Sequence, residues 1–575
     1  MSYKETYLNW LNSPALSQAE KAELQAIAGD EKEIESRFFA PLEFGTAGLR
    51  GTMCVGLHQM NVHVIRHATQ AFAEVILAEG PESARKGVAI CFDCRHHSDE
   101  FAREAARVMA GNGIPVRIFE SLRPTPELSF AIREYGCIAG INVTASHNPK
   151  EYNGYKVYWE DGAQLPPRHA DAIAKKMAEL DLFASPKLAD FEQAMAEGRI
   201  TRMGAETDEA FLAHVMGQVN DQSAVERVAD TFKMVYTPFH GTGYRLIPEV
   251  LRRLGMKHVL CVPEQMVIDG DFPTVASPNP ENPEGFHLAV ALADREGADF
   301  ILGSDPDADR VGLMVRNREG RFVPLSGNQT GVLLLDYLIT AKKRAGTLPA
   351  NAAALKTIVT TEMARKVAEV NGVQMFDTFT GFKFMAEKKN ALEQSGEGKV
   401  LFSYEESYGY MMGDYVRDKD AVTAALVCTE MAAWYYGQGM TLYDAMMGLY
   451  EKYGWYGEKT LNLVMPGLDG LKKMAELMQD LRARPLTEIA GTAVVLRKDY
   501  SDGTQTDVAA GTVTEMELKG SNVLKYKLAD GTDLVVRPSG TEPKVKVYIL
   551  AQGASKAVCD ATVAKYAAWA ETLKR

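Results

Sequence analysis

The sequence predicts an α/β protein: three similar α/β domains with mixed or parallel sheets, followed by a smaller C-terminal α+β domain. Three observations carry this. Short apolar strands alternate with helical stretches through most of the 575 residues, which argues for mainly parallel layers. Each alternation ends a strand in an unusual polar loop, where ligands sit in such sheets. The last part breaks the rhythm, with short strands before a final helix.

Roughly the first 35 residues look helical and charged. Phe44 to Gly51 follows as a glycine-rich loop carrying one arginine, Arg50. Val88 to Phe92 is a strand, Ser98 an N-cap for a helix from Asp99 to Ala110, and Gly111 its stop. Pro115 to Phe119 is the next strand, and Cys137 to Val143 runs into Thr144-Ala145-Ser146-His147-Asn148-Pro149. Phe232 to Tyr236 leads to Thr237–Gly243 and a helix to about Leu254. Ala298 to Leu302 leads to Ser304-Asp305-Pro306-Asp307-Ala308-Asp309-Arg310. Leu333 to Lys343 reads as helix, and Thr357 to Val359 and Val373 to Phe376 as strands, the latter leading to Thr380-Gly381-Phe382-Lys383. Val400 to Ser403 leads to Tyr404-Glu405-Glu406-Ser407. The tail, from about Gly457, reads as an apolar helical stretch. Short strands at Val494 to Arg497 and Leu534 to Val536 and a helix at Ala554 to Leu573 follow. The domains expected are 1–205, 206–325, 326–455 and 456–575, and Gly454 and Gly457 in the last linker predict a hinge.

Hydrophobic residues at 46% and charged residues at 24% are ordinary for a globular chain. A net charge of -13 argues against nucleic acid or a membrane surface as partner. It leaves room for an anionic small molecule where basic residues cluster. Apolar runs such as Gly331 to Thr340 and Ala421 to Trp434 are too short or too charged to span a bilayer. No signal peptide is visible, and seven scattered cysteines read as reduced, so a cytoplasmic location is expected. Cys91 and Cys94 lack the further ligands a zinc site needs.

Asp305, Asp307 and Asp309 alternate, so in an extended chain their carboxylates share one face. Their repulsion calls for a divalent cation, and hard oxygens suit magnesium or calcium. An EF-hand is excluded, because its glycine and glutamate positions hold Arg310 and Arg316. Magnesium keeps room for a phosphoryl oxygen, which makes Ser146 the candidate group to carry one. Ser146 read alone is equally a turn residue beside Asn148 and Pro149. Glu405, Glu406 and Ser407 suit sugar hydroxyls. Arg537, Ser539, Gly540, Thr541 and Lys544 form a compact anion cradle.

Together these segments resemble the α-D-phosphohexomutase superfamily over nearly the whole chain and in its order. The Gly45 to Gly51 segment and the length are most similar to the bacterial phosphoglucomutase branch related to phosphopentomutases. The resemblance implies four domains around a central cleft. It implies Ser146 as the phosphoserine, with Asp305, Asp307, Asp309 and a Ser146 phosphoryl oxygen around Mg2+. It implies Glu405 and Ser407 on the sugar, and the last domain's loop on the phosphate that is not reacting. Lys156, Lys419 and His147 are the acid/base candidates. Arg50 supports the phosphoserine or the acid/base pair, Arg310 stabilises the transferring group, and Thr380, Gly381 and Lys383 line the cleft. The expected activity is interconversion of glucose 1-phosphate and glucose 6-phosphate through glucose 1,6-bisphosphate. The alternatives are a pentose phosphate mutase, a phosphomannomutase or a sugar-phosphate phosphatase. Tyr404 replaces a glycine found in many hexose-specific members, which puts strict hexose specificity in question. A monomer or small homo-oligomer is expected.

Overall fold

The computed structural model describes residues 2–45, 48–465, 470–539 and 544–574. The chain forms two compact units: Met1–Gly327 with Ser407–Leu442, and Asn328–Glu406 with Tyr443–Arg575.

The first unit opens with helices Tyr3–Leu11, Gln18–Ala26 and Glu31–Phe38. Ser2 with Glu5, and Ser17 with Glu20, form capping boxes that satisfy the first free N–H groups. The first sheet runs Leu49–Thr52, Tyr152–Trp159, Ala139–Val143, Val88–Phe92, Val116–Phe119, Ile200–Met203. Its last four strands are parallel and its first three pair antiparallel. Strand Val88–Phe92 is apolar throughout because both faces are covered. Val88 and Ile90 join the cluster with helices Val62–Ala78 and Ser98–Gly111. Ala89 and Cys91 face Leu128 and Ile132 of helix Thr125–Glu134 instead.

The second sheet orders Phe322–Leu325, Val311–Arg316, Phe300–Ser304, Lys233–Thr237 and His258–Cys261. Phe300–Ser304 is parallel to Lys233–Thr237 but antiparallel to Val311–Arg316, so the aspartate loop is a hairpin connection. Helix Ala421–Tyr436 packs within this first unit. It is apolar on all sides because it is buried on all sides. The Glu430 carboxylate accepts from the backbone N–H groups of Asn220 and Asp221.

In the second unit, Ala352–Thr357 lies between parallel strands Gln374–Thr378 and Lys399–Glu405. An antiparallel sheet follows, in which Lys544–Gly553 pairs with edge strand Trp455–Val464 on one side and Asp533–Pro538 on the other. Ile358, Val359 and Phe379 share a cluster with Tyr500, Val523, Val535 and Tyr548. Buried Lys356 pairs with Glu362 at 2.9 Å and Asp377 at 3.0 Å. Lys525 pairs with Asp533 at 3.0 Å and Glu362 at 3.5 Å. A hinge at Gly454 and Gly457 would have to part this cluster and these charges.

Four local expectations are corrected. Ser98 is not a cap; its hydroxyl donates to Asp93 at 2.7 Å, and His97 holds the cap position at φ 62°. Trp455–Val464 is a strand where a helical stretch was expected, because Lys544–Gly553 pairs along its full length. The strand near Thr357 is Ala352–Thr357, whose small residues pack between two neighbours. The aspartate loop is a turn rather than an extended segment, as follows.

Candidate functional site

Buried strand Ala139–Val143 carries the chain to Thr144, whose hydroxyl accepts from the Ser146 N–H at 2.8 Å. Ser146 has φ 54°, a left-handed conformation that side chains other than glycine rarely adopt. Such strain persists only where surroundings over-determine it. Here Arg95 does so. Its guanidinium donates to the carbonyls of Ser146 (2.7 Å), Asn148 (2.5 Å), Pro149 (2.8 Å) and Tyr152 (3.0 Å). Asp93 holds it from behind at 3.2 Å. Gly48 lets strand Leu49–Thr52 approach; at φ 82° its Cβ would lie 1.8 Å from the Tyr155 carbonyl oxygen. Arg50, on that strand, donates to the Asn148 side chain at 3.2 Å.

The aspartates converge through a turn. Ala308 N–H donates to the Asp305 carbonyl at 2.9 Å, with Ala308 at φ 49°. Asp305 Oδ1 accepts from the N–H groups of Asp309 and Arg310, each at 3.0 Å. All three carboxylates are buried, with one oxygen from each within 4.8 Å of the others. Ser146 Oγ donates to Asp305 Oδ2 at 3.1 Å and lies 3.2 Å from His147 Nδ1. Lys156 Nζ sits 2.8 Å from Asp307 Oδ2 and 3.7 Å from Asp309 Oδ2. Lys419 Nζ sits 3.2 Å from Asp309 Oδ2 and 3.3 Å from Asp418, whose other oxygen accepts from the Tyr158 hydroxyl. Arg310 pairs with Glu281 at 2.8 Å.

Charge is unevenly shared. Burial, then Asp309 and Asp307, push the Asp305 carboxyl well above the usual range. Burial acts the same way on Asp307, but Lys156 overrides it and holds that carboxyl well below. Burial, then Arg310 and Arg50, depress His147 and keep its ring neutral. Asp307 Oδ1 and Asp309 Oδ1 are buried and accept no hydrogen bond. Bare buried carboxylate oxygens gathered on one turn fit a hard divalent cation.

In the second unit, Glu405 Oε1 accepts from the Gly381 N–H at 2.6 Å, so the Thr380–Lys383 and Glu405 segments meet. Glu406 accepts from Thr357 and Thr360, both at 3.2 Å; burial and Glu405 push it up to about 6. Burial lowers Lys383. Ser407 follows in the chain, within the first unit. Tyr404 does not face this loop. Its ring is buried, stacks on Phe402 with centroids 5.3 Å apart, and packs over Gly331, where a Cβ would come within 2.1 Å. Arg537 shares an antiparallel pair with Lys546, and Ser539 N–H donates to the Lys544 carbonyl at 2.8 Å. Gly540 and Thr541 lie outside the described residues.

Sequence reasoning missed Asp93, Arg95, Thr125, Asn142 and Asp418. An Asp-x-Arg directly beyond an apolar strand was a usable signal for the first two. Thr125 gave none, since its partner Asp307 lies 182 residues away.

Four adjoining segments match descriptions of one family. Residues 41–183, 209–320 and 326–453 match "Phosphoglucomutase/phosphomannomutase, alpha/beta/alpha" domains I, II and III, and 462–564 the C-terminal domain. A phosphoglucomutase of Staphylococcus epidermidis is 35% identical over 510 residues, 88% of this chain and 90% of the relative. One from Staphylococcus aureus is 33% identical over 524 residues, 90% and 91% of the two chains. Among solved structures, Paramecium parafusin, a phosphoglucomutase, superposes with a TM-score of 0.68 at 19% identity, covering 93% of this chain and 94% of that one. A phosphoglucomutase/phosphomannomutase family protein of Burkholderia thailandensis gives 0.66 at 18% identity, covering 92% and 97%. At these identities the two superpositions speak for the fold alone. No helix of the described residues is long and apolar enough to cross a membrane.

Proposed function

The chain belongs to the phosphoglucomutase/phosphomannomutase family, and on that premise we propose that it interconverts glucose 1-phosphate and glucose 6-phosphate through a phosphorylated Ser146. The observation that carries this is Ser146 Oγ, on a strained and pinned turn, 3.1 Å from a carboxylate of the buried trio. The glucose assignment is supported by relatives named phosphoglucomutase along most of their length.

In the proposed reaction, the phosphoserine P–Oγ bond breaks as the free hydroxyl of a sugar monophosphate bonds to phosphorus. The hydroxyl proton passes to a basic group, with Lys156, Lys419 and His147 as candidates. The resulting glucose 1,6-bisphosphate reverses its orientation and returns its other phosphoryl group to Ser146. Phosphoryl transfer of this kind depends on positioning and charge stabilisation. Asp305, Asp307 and Asp309 would hold Mg2+, which when bound neutralises charge on the transferring group. Arg310 would add a fixed cation beside it, and Arg50 would steady the Ser146 loop through Asn148. Glu405 and Ser407, with Thr380, Gly381 and Lys383, are proposed to contact the sugar. Arg537, Ser539, Gly540, Thr541 and Lys544 are proposed to contact the distal phosphate.

The test is Ser146→Ala, assayed on glucose 1-phosphate with glucose 1,6-bisphosphate and Mg2+. Turnover should fall on the order of 10³-fold or more, as for loss of a covalent nucleophile. Near-normal turnover would overturn the mechanism. Running ribose 1-phosphate beside it tests the sugar: faster pentose turnover would reassign the substrate while leaving Ser146 in place.

A further inference from the structure

We infer that Thr125, with Asn142 behind it, is a positioning residue that aims Asp307 at the cation; the inference rests on the metal reading above. Thr125 is fully buried at the start of helix Thr125–Glu134, in the first domain. It grips Asp307, in the second domain, at two points. Its backbone N–H donates to the Asp307 carbonyl at 2.8 Å, and its hydroxyl to Asp307 Oδ2 at 2.8 Å. The first bond also uses a helix-end N–H that has no partner within the helix.

The hydroxyl has one proton to give. Asn142, buried on strand Ala139–Val143, donates its Nδ2 to Thr125 Oγ1 at 2.7 Å. The oxygen therefore accepts from Asn142, and its own proton is left for Asp307. Lys156 takes the remaining room at Oδ2. Among the described residues, Thr125 and Lys156 both donate to Oδ2 of Asp307, while Oδ1 is buried and bare. The carboxylate plane is set so that one oxygen serves the protein and the other the metal. Because Asn142 lies four residues before Ser146, on the strand that leads into its turn, one stretch of chain bears on both the serine turn and the metal ligand.

The experiment measures Mn2+ binding, by electron paramagnetic resonance, to the full-length wild type and to Thr125→Val, Thr125→Ser and Asp307→Asn. Loss of a hydrogen bond that orients a metal ligand typically weakens metal affinity by ~10–100-fold. Thr125→Val, nearly isosteric, should weaken Mn2+ at least ~10-fold, and Thr125→Ser should restore it to within about threefold of wild type, since the hydroxyl is kept. Unchanged affinity in Thr125→Val overturns the inference, and equal weakening in both variants overturns it in favour of methyl packing. If Thr125→Val lowers the melting temperature without metal, Asn142→Ser takes its place. It leaves Thr125 intact, and unchanged Mn2+ affinity there refutes the relay. Asp307→Asn separates the two levels: wild-type Mn2+ binding in that variant would sink the metal centre itself.

Discussion

Replacing Arg95 with methionine should loosen the Ser146 turn far more than it loosens the rest of the sheet. The side chain is buried, and it donates to four carbonyls between Ser146 and Tyr152. Methionine fills part of the volume but leaves those oxygens without donors. It also strips Asp93 of its cation, although burial already raises that carboxyl. Removing one partner of a buried ion pair costs about 3–5 kcal/mol. The sum is held to that range because bonds to one guanidinium are not additive. At about 1.4 kcal/mol per tenfold, local opening should become roughly 10²- to 4 × 10³-fold more frequent. The amides that report it are Ser146, bonded to Thr144 Oγ1, Asn148, bonded to Ala145, and Tyr152, bonded to Pro149. Hydrogen exchange read by mass spectrometry on peptides across 144–153 measures it directly. Peptides from the second sheet serve as the internal control. Arg95→Lys should recover only part of the protection, since an ammonium cannot present the planar fork of donors. Asp93→Asn combined with Arg95→Met should recover part of the lost stability by removing the orphaned charge. Unchanged exchange across 144–153 in Arg95→Met would falsify the claim that Arg95 maintains the left-handed serine.

Two further predictions concern the second unit. Glu406 titrates near 6, above an ordinary carboxyl, because burial and Glu405 disfavour its charge. Its contribution to stability is therefore fully present below about pH 4.5 and lost as pH rises through about 6, by up to about 2 kcal/mol. Melting curves between these pH values should show that decline in the wild type and a flatter one in Glu406→Gln; parallel profiles would count against it. Lys356→Met should destabilise the junction between Asn328–Glu406 and the last domain by about 3–5 kcal/mol. Glu362, which Lys356, Lys525 and Arg365 together draw far below its usual range despite burial, and Asp377 both lose a buried cation. Faster proteolysis in the connection around Gly454 and Gly457 is the readout, and wild-type cleavage rates would contradict it.

The strand–loop pattern could be read from the sequence because buried parallel strands are apolar on both faces and their polar ends stand out against them. Val88–Phe92 and Ala139–Val143 are of this kind. The aspartate trio was visible for its spacing, yet the reason differed: a turn closed by Ala308, not an extended strand, brings the carboxylates together. The departures at Ser98 and at Trp455–Val464 have one cause. Ser98 forgoes capping for Asp93, and Trp455–Val464 takes its conformation from a partner about ninety residues further along the chain. Local preference yields wherever another group, five residues back for Ser98 or about ninety away for the strand, offers a better bond. The same holds for the supports of the site. Arg95 and Thr125 act on residues far from them in the chain, so spacing carries no trace of their work. Tyr404 shows the converse: a sequence difference inside a site motif that the fold turns inward, onto Gly331.

Helix Ala421–Tyr436 has a consequence for how this chain is made. It completes the core of a unit that otherwise consists of the short stretches flanking it within Ser407–Leu442 and of a first segment that ends at Gly327. A ribosome adding roughly 5–20 residues per second takes on the order of 5–20 s to bring it out after that point. Through that interval the apolar surface it will cover stays open, while strands of the other unit are already emerging. A nascent chain stopped between residues 327 and 421 should therefore recruit chaperones that hold exposed apolar surface, and release them once the helix is out.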